Sequence, residues 1–273
     1  MPRIATLGPK GSFSEEAAIR FAESLGESEI VLLDNPEEII SLPEGVQYGV
    51  VAIENSLEGT IGHTLDLVGE MENTICGEVV LAIRHFLIGS PDTRSIGRIF
   101  SHPAAFAQCR RFIESNYPDC ELVTVSSTAQ GAMVSSTEKD SAAIASHRAA
   151  DIYGLVAFES DIQDEDSFTR FLVIGRDPTQ PTGNDKTSLI FTVKDTPGAL
   201  YQALRPFAER NLNLTKIESR PARKGLGDYV FFLDFQCHAS DPRSKGALEE
   251  LAIACSSIKV LGSYPEATSD GPP

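Results

Sequence analysis

The chain has 273 residues, of which 41% are hydrophobic, and its formal net charge is −16. This length exceeds the usual size of one domain, and the acidic balance argues against nucleic acid as a partner, because binding there requires clustered lysine and arginine. The five cysteines form no CxxC pair, no apolar run could span a bilayer, and the N-terminus lacks a signal-peptide pattern, so we expect a cytoplasmic protein without a membrane segment or a metal site.

The first half of the chain alternates predicted strands and helices. Ser12 followed by Glu15 fits a capping box for a helix that ends near Leu25, and the glycine-containing loop 8–14 before it is a weak candidate for an anion cradle. Apolar runs predict strands at 3–7, 30–33, 48–53, 98–100, 122–125, 142–145 and 155–158, and one long strand, 79–88, that crosses between lobes. This alternation favours mixed or parallel sheets with helices on both faces.

Polar residues adjoin several of these apolar strands. Open α/β sheets usually bind ligands beyond the ends of their strands, so hydroxyl-rich loops from different strands are expected to meet at one cleft for a small polar ligand. An anionic ligand would be repelled by the net charge, so the pocket must then supply local positive potential. The clusters are Glu54-Asn55-Ser56, Ser101-His102, Ser127-Thr128 and Thr169-Arg170.

A second unit follows a segment rich in proline, threonine, glycine and aspartate at 176–186, which we interpret as a linker. Its predicted elements come in the order βαββαβ, which is typical of a ferredoxin-like sandwich of two helices on an antiparallel sheet. The strands are predicted at 189–193, 212–219, 229–237 and 258–262, and the helices at 199–210 and 241–254.

Seven motifs spread over nearly the whole chain, taken together, resemble prephenate dehydratase with a C-terminal ACT regulatory domain. Two positions depart from the family pattern: Ser167 stands where asparagine is frequent, and Ala104 where glutamine is frequent. Both changes remove an amide from near the cleft. The motifs are Leu7-Gly8-Pro9 with Gly11-Ser12-Phe13-Ser14, Glu54-Asn55-Ser56-Leu57-Glu58-Gly59, Ser101-His102-Pro103 with Gln108-Cys109, Ser127-Thr128-Ala129, Thr169-Arg170-Phe171, Gly198-Ala199-Leu200 and Glu218-Ser219-Arg220-Pro221.

The resemblance implies a two-lobed, type II periplasmic-binding-protein-like α/β catalytic domain at 1–176, with lobes at 1–76 plus 160–176 and at 77–159, and an ACT domain at 187–264. It implies that prephenate loses carbon dioxide and its ring hydroxyl to give phenylpyruvate for phenylalanine biosynthesis, without metal or cofactor. It also implies a homodimer or homotetramer that L-phenylalanine inhibits through the ACT domain. Arogenate dehydratase and a non-catalytic amino-acid sensor remain as alternatives.

The same resemblance supplies a set of candidate catalytic and substrate-binding residues. Thr169 would donate to the departing oxygen, and Glu54 would resupply the proton if burial keeps it protonated; otherwise Glu54 is an ionised loop carboxylate. Arg170 would bind a carboxylate, or else form a structural salt bridge with the acidic loop 161–166, and His102 either acts directly or only begins a helix. The catalytic set is Thr169, Glu54, Asn55, Ser101 and Gln108, and the substrate-binding set is Arg170, Ser56, Thr60, Ser127, Thr128 and Phe171.

The inhibitor site is expected in the ACT unit. Gly198 opens a helix whose N-terminal N–H groups would receive the carboxylate of phenylalanine, and Glu218 or nearby carbonyl groups would receive its ammonium. The candidate residues are Gly198, Ala199, Leu200, Asn213, Leu214, Glu218, Ser219, Arg220 and Pro221.

Overall fold

A computed structural model describes residues 1–221 and 229–267 of the chain, which form three β-sheets with helices packed on them. The strands are β1 (Arg3–Leu7), β2 (Glu29–Leu33), β3 (Tyr48–Asn55), β4 (Gly59–Thr60), β5 (Thr74–Ile83), β6 (Phe86–Gly89), β7 (Arg98–Ser101), β8 (Glu121–Thr124), β9 (Ser141–Ala145), β10 (Val156–Glu159), β11 (Ser167–Gly175), β12 (Asp185–Thr192), β13 (Leu214–Pro221), β14 (Tyr229–Gln236) and β15 (Ser257–Pro265). The helices are α1 (Phe13–Leu25), α2 (Pro36–Ser41), α3 (Gly62–Glu70), α4 (Pro103–Gln108), α5 (Arg110–Asn116), α6 (Thr128–Ser135), α7 (His147–Tyr153), α8 (Ala199–Glu209) and α9 (Pro242–Ala254). None of these helices is long and apolar enough to cross a membrane.

The first sheet, which we call lobe I, has the order β2-β1-β3-β11-β5, with β4 paired to β3. Strand β11 lies near its middle, antiparallel to both β3 and β5. Its side chains alternate between two cores. Phe171 and Val173 pack with helix α1, whereas Leu172 and Ile174 face the opposite side. The strand is therefore anchored on both faces, which holds its first residues rigidly.

The second sheet, lobe II, has the order β10-β6-β9-β7-β8. The expected single strand at 79–88 is wrong: it breaks at Arg84 and His85, with β5 paired to β11 in lobe I and β6 paired to β9 in lobe II. The expected lobe boundary at residues 76 and 77 is displaced for the same reason, because β5 stays in the lobe I sheet up to Ile83. Arg84 and His85 interrupt the apolar run, but a polar pair inside a predicted strand does not by itself show that the chain changes from one sheet to another there.

The third sheet has the order β13-β14-β12-β15 and carries α8 and α9 on one face, which confirms the predicted βαββαβ arrangement. Its other face packs directly on lobe I. Phe232, Leu261 and Tyr264 enter the same core as Leu172 and Ile174 of β11. The ACT unit therefore covers a face of lobe I that would otherwise expose apolar side chains to water.

Candidate functional site

A cleft of about 430 Å³ lies between the two lobes and is lined by residues of both. Residues of the β1–α1 loop, the β3–β4 turn and β11 form the lobe I wall, and the starts of α4 and α6 form the lobe II wall. The polar lining residues are Ser12, Ser14, Asn55, Glu58, Thr60, His85, His102, Gln108, Ser126, Ser127, Thr128 and Thr169.

The Thr169 hydroxyl is held by a defined hydrogen bond inside this cleft. The Asn55 Nδ2 atom donates to Thr169 Oγ1 at 3.0 Å. The Asn55 oxygen accepts from the backbone N–H groups of Leu57 and Glu58 at 2.9 and 3.1 Å, so the direction of the amide is fixed. Because Thr169 Oγ1 already accepts a hydrogen bond, its own hydrogen remains available to donate into the cleft.

Helix N-termini supply the positive potential of the cleft. Ser12 caps α1 and Ser127 caps α6, and both caps line the cavity together with residues of the first turns. Neither arginine nor lysine is among the described lining residues. The partial positive charge of two helix ends and neutral hydroxyl and amide donors therefore face any bound anion.

Three side chains form a chain of hydrogen bonds across the cleft. Gln108 of lobe II donates from Nε2 to the Glu58 carboxylate of lobe I at 2.9 Å. The Gln108 Oε1 atom lies 3.0 Å from Nε2 of His85, at the crossing between lobes. Glu58 and His85 were not among the sequence candidates for a role in the site. Glu58 did stand inside the motif 54–59, which could have pointed to it, whereas the only signal for His85 was a polar residue within an apolar run, which is weak.

The structure brings together seven of the expected catalytic and binding residues, namely Asn55, Thr60, Gln108, Ser127, Thr128, Thr169 and Phe171. Ser101 and Ser56 do not line the cleft. The Ser101 hydroxyl is fully buried in lobe II and donates to the carbonyl of Ile144 at 2.6 Å, and Ser56 Oγ accepts from the Phe168 N–H at 3.0 Å. Both hydroxyls therefore stabilise local structure, which corrects their expected roles.

Arg170 also lies outside the cleft, so its expected contact with substrate is wrong. Adjacent residues of a strand point to opposite faces, and the 8% exposed Arg170 points toward the ACT sheet. It donates to Glu78 at 2.6 Å, to Asp234 at 2.7 Å and to the hydroxyl of Tyr264 at 2.9 Å. Arg170 does form a structural salt bridge, as the alternative expectation stated. Its partners, however, are Glu78 and Asp234 and not the acidic loop at 161–166.

Glu54 faces the ACT unit as well. Its carboxylate accepts from Lys216 at 2.5 Å and from Arg170 at 3.3 Å. Burial alone would raise the pKa of Glu54, but the hydrogen bond and charge of Lys216, together with the charge of Arg170, outweigh it and lower that pKa. The group is therefore ionised at neutral pH, and the expectation that it stores a proton for Thr169 is wrong.

The expected inhibitor-site residues lie in three places. The loop before Gly198 and the last residues of β13 lie at the same end of the ACT strands, since Thr192 and Arg220 both pair with Val230, whereas Asn213 and Leu214 lie at the other end of β13. The Glu218 and Arg220 side chains of β13 contact lobe I: Glu218 bonds with Thr60, and Arg220 bonds with Asp66 at 3.0 Å. Glu218 is thus engaged by a hydroxyl of lobe I, which leaves the nearby carbonyl groups as candidates for the ammonium of an inhibitor.

Comparisons with family models, curated proteins and solved structures agree on one family, although one similar structure is described with a different activity. Residues 4–179 match the family model described as prephenate dehydratase, and residues 187–253 match that of the ACT domain. A bifunctional chorismate mutase/prephenate dehydratase of Stutzerimonas stutzeri is 43% identical over 270 residues, which cover 97% of this chain and 73% of that one.

Two solved structures are similar over almost their full length. The prephenate dehydratase from Arthrobacter aurescens in complex with L-Phe has a TM-score of 0.88 at 33% identity, over 98% of this chain and 92% of that chain. GqqA, described as a novel type of quorum quenching acylase, has a TM-score of 0.86 at 28% identity, over 97% of this chain and 98% of that chain.

Proposed function

The chain belongs to the prephenate dehydratase family, and we propose that its interlobe cleft converts prephenate to phenylpyruvate for phenylalanine biosynthesis. This is carbon–oxygen lyase chemistry. The observation that carries the proposal is the Thr169 hydroxyl, which accepts from Asn55 and keeps its hydrogen free to donate into the cleft.

The reaction balances without a stored proton. As the bond to the ring carboxylate breaks, its electron pair moves into the ring, and the bond to the ring oxygen breaks on the other side. Prephenate dianion thus gives phenylpyruvate anion, carbon dioxide and hydroxide, and an acid of the surrounding buffer protonates the hydroxide to water. A hydrogen bond from Thr169 disperses the charge that develops on the departing oxygen, and loss of one such donor typically slows turnover about 10²–10³-fold.

The cleft offers the donors that a dianion needs. The N-termini of α1 and α6 line it and favour a bound anion, and Gln108, Thr60 and Thr128 add neutral donors. An arrangement of neutral donors holds two carboxylates without the tight ion pair that an arginine would form. It also keeps the ring carboxylate free to leave as carbon dioxide.

Arogenate is a second candidate substrate because Glu58 is the one carboxylate among the described residues that line the cleft. Arogenate carries an ammonium group where prephenate has a ketone, and a carboxylate in the cleft would attract that ammonium. Turnover of the two substrates by the same preparation distinguishes the two activities, since a prephenate dehydratase will have the higher kcat/KM for prephenate.

The acylase activity described for GqqA receives less support from the side chains of this cleft. Acyl transfer through a hydroxyl requires an adjacent base to take its proton. Thr169 Oγ1 contacts the Asn55 amide, and the two histidines that line the described part of the cleft are bonded elsewhere, His85 to Gln108 and His102 to the N–H of Ala104.

Feedback inhibition by L-phenylalanine forms the regulatory part of the proposal. The ACT domain match and the similarity to a structure in complex with L-Phe support it, and Gly198 at the start of α8 is its candidate carboxylate site. We also propose a homodimer or homotetramer in the cytoplasm, in which ACT domains pair. The five cysteines, all of which are free thiols, are consistent with a reducing compartment.

The test is to incubate the full chain with prephenate, with and without L-phenylalanine, and to measure phenylpyruvate. We expect phenylpyruvate to form and L-phenylalanine to slow its formation. Binding of L-phenylalanine without any phenylpyruvate would instead establish a non-catalytic amino-acid sensor. Phenylpyruvate formation that L-phenylalanine does not change would support the enzyme and contradict the regulatory part.

A further inference from the structure

His85 occupies a fixed position at the crossing from β5 to β6. Its residue is 3% exposed, and its ring lines the cleft and packs edge-on against Phe13 at 5.8 Å. Its backbone N–H donates to Gln163 Oε1 at 2.9 Å, and its carbonyl accepts from Ile162 at 3.0 Å. The backbone on both sides of the lobe crossing therefore sets where this imidazole lies.

The hydrogen bonds around Gln108 determine which ring nitrogen of His85 carries the hydrogen. A carboxylate can only accept, so the NH₂ group of Gln108 must face Glu58. The Gln108 oxygen then faces His85, and its contact with Nε2 is favourable only if Nε2 carries a hydrogen. Burial lowers the pKa of His85, so the ring is neutral at neutral pH and Nδ1 has no hydrogen.

The Nδ1 atom of His85 indicates whether the imidazole serves only to fill space in the fold or has a role in the cleft. Nδ1 is buried and has no hydrogen-bond partner among the described residues. Buried polar atoms without a hydrogen-bond partner are uncommon in folded proteins. An apolar side chain could fill the same space without burying such an atom. The value of the imidazole here must therefore come from its other nitrogen, which contacts Gln108.

We propose that His85 is a positioning residue of the cleft, which holds the Gln108 oxygen so that the Gln108 NH₂ group faces the bound substrate as a donor. This amide has two hydrogens, and Glu58 takes one of them. The second is available to a carboxylate or ketone oxygen of the substrate. A rotated amide would present its oxygen to the same group and repel it.

The inference rests on the proposed function only for the identity of the substrate. The first test uses variants of His85 in the full chain, because glutamine can place an amide near the position of Nε2 whereas asparagine is too short. We expect His85→Asn to lower kcat/KM for prephenate by about 10²-fold, since misplaced groups in a site cost about that much. His85→Gln is expected to restore most of the parent value.

A double-mutant cycle with Gln108 tests whether His85 acts through that residue. If it does, adding His85→Asn to a Gln108→Ala chain causes little further loss of kcat/KM. Losses that multiply in the double variant would overturn the proposal, because His85 would then act on the substrate or the fold independently of Gln108. Equal losses in His85→Asn and His85→Gln would overturn it as well.

Nuclear magnetic resonance of the full chain supplies a readout that needs no substrate. Correlations between the ring nitrogens and carbon-bound hydrogens are expected to show His85 neutral, with its hydrogen on Nε2. His85→Asn should displace the Gln108 side-chain NH₂ signals, and the control His63→Asn, at an exposed histidine of α3, should leave them in place. A hydrogen on Nδ1, or Gln108 signals unchanged in His85→Asn, would contradict the inference even if prephenate turnover were confirmed; the expected signals would support it even if turnover were absent.

Discussion

Thr169 and Arg170 are consecutive residues of β11, yet their side chains contact different domains. The Thr169 hydroxyl meets Asn55 in the interlobe cleft, whereas the Arg170 guanidinium meets Asp234 of the ACT sheet at 2.7 Å. Their opposite directions follow from the alternation of side chains along a strand. One strand thus carries the proposed catalytic hydroxyl on one face and the anchor of the regulatory domain on the other.

Replacing Thr169 by alanine should remove most prephenate turnover and leave the fold intact. The change deletes the only group assigned to stabilise the departing oxygen, so we expect kcat to fall about 10²–10³-fold. Thr169→Ser keeps a hydroxyl and should retain much more activity. Steady-state phenylpyruvate formation checks both variants, and near-parent kcat in Thr169→Ala, with an unchanged melting temperature, would refute the assignment.

Replacing Asn55 by aspartate should slow turnover although the shape of the side chain is kept. The carboxylate accepts where the amide donated, so it draws the Thr169 hydrogen away from the cleft. We expect kcat to fall by about 10²-fold, comparable with the loss of one oriented donor. Comparing the kcat of Asn55→Asp with that of Asn55→Ala measures how much turnover depends on the direction of the hydrogen bond between residue 55 and Thr169. A more active aspartate variant would contradict the proposed orientation.

Replacing Arg170 by methionine should destabilise the chain, because it removes the charged partner of the buried Asp234 carboxylate and leaves the buried Glu78 paired with Lys186 alone. Removal of one partner from a buried ion pair typically costs about 3–5 kcal/mol in the free energy of unfolding. Arg110→Met, which removes an exposed pair with Glu114, is the matched control and should change the free energy of unfolding far less, because solvent screens an exposed ion pair. Urea unfolding compares the two, and equal small losses would show that the Arg170 network is not stabilising.

The contribution of Glu54 to stability should depend on pH. Because the folded-state pKa of Glu54 is lowered, the unfolded chain binds more protons, and the carboxylate stabilises the fold above the ordinary pKa of 4.5. The stabilisation, about 1 kcal/mol for one partly exposed pair, is lost as pH falls through the lower folded-state value. The difference in unfolding free energy between the parent and Glu54→Gln should therefore shrink below pH 4.5. If this difference in unfolding free energy instead grew below pH 4.5, the folded-state pKa of Glu54 would be raised and not lowered.

Replacing Gly198 by alanine should weaken feedback inhibition without changing turnover in the absence of inhibitor. Gly198 has a φ of +83° where α8 begins, a conformation that strains alanine by about 1–2 kcal/mol. We expect a higher concentration of L-phenylalanine for half inhibition. Gly154→Ala, at a φ of +66° after α7 in lobe II, imposes a similar strain away from the ACT unit. Equal weakening in both variants would exclude a local role for Gly198.

Much of the local structure could be predicted from short-range patterns. Ser12 caps α1 as its spacing from Glu15 predicts, and the βαββαβ order of the ACT unit is confirmed. The break at His85 could not be predicted, because both halves of the run are apolar and only pairing assigns them to different sheets. The contacts of Arg170 with Asp234 and Tyr264 join residues 64 and 94 positions apart, which no local pattern encodes.

By itself, the sequence determined the family, the alternation of strands and helices, and Thr169 as a candidate for the chemistry, since these depend on neighbouring residues and on ordered motifs. Only the tertiary structure decided which polar side chains share the cleft. Glu54 and Arg170 lie on the face of lobe I that the ACT sheet covers, where Lys216 and Asp234 are their partners, and the Ser101 hydroxyl is buried against the carbonyl of Ile144. The physical reason is that a buried charge goes wherever the whole fold provides partners, and those partners lie far away along the chain.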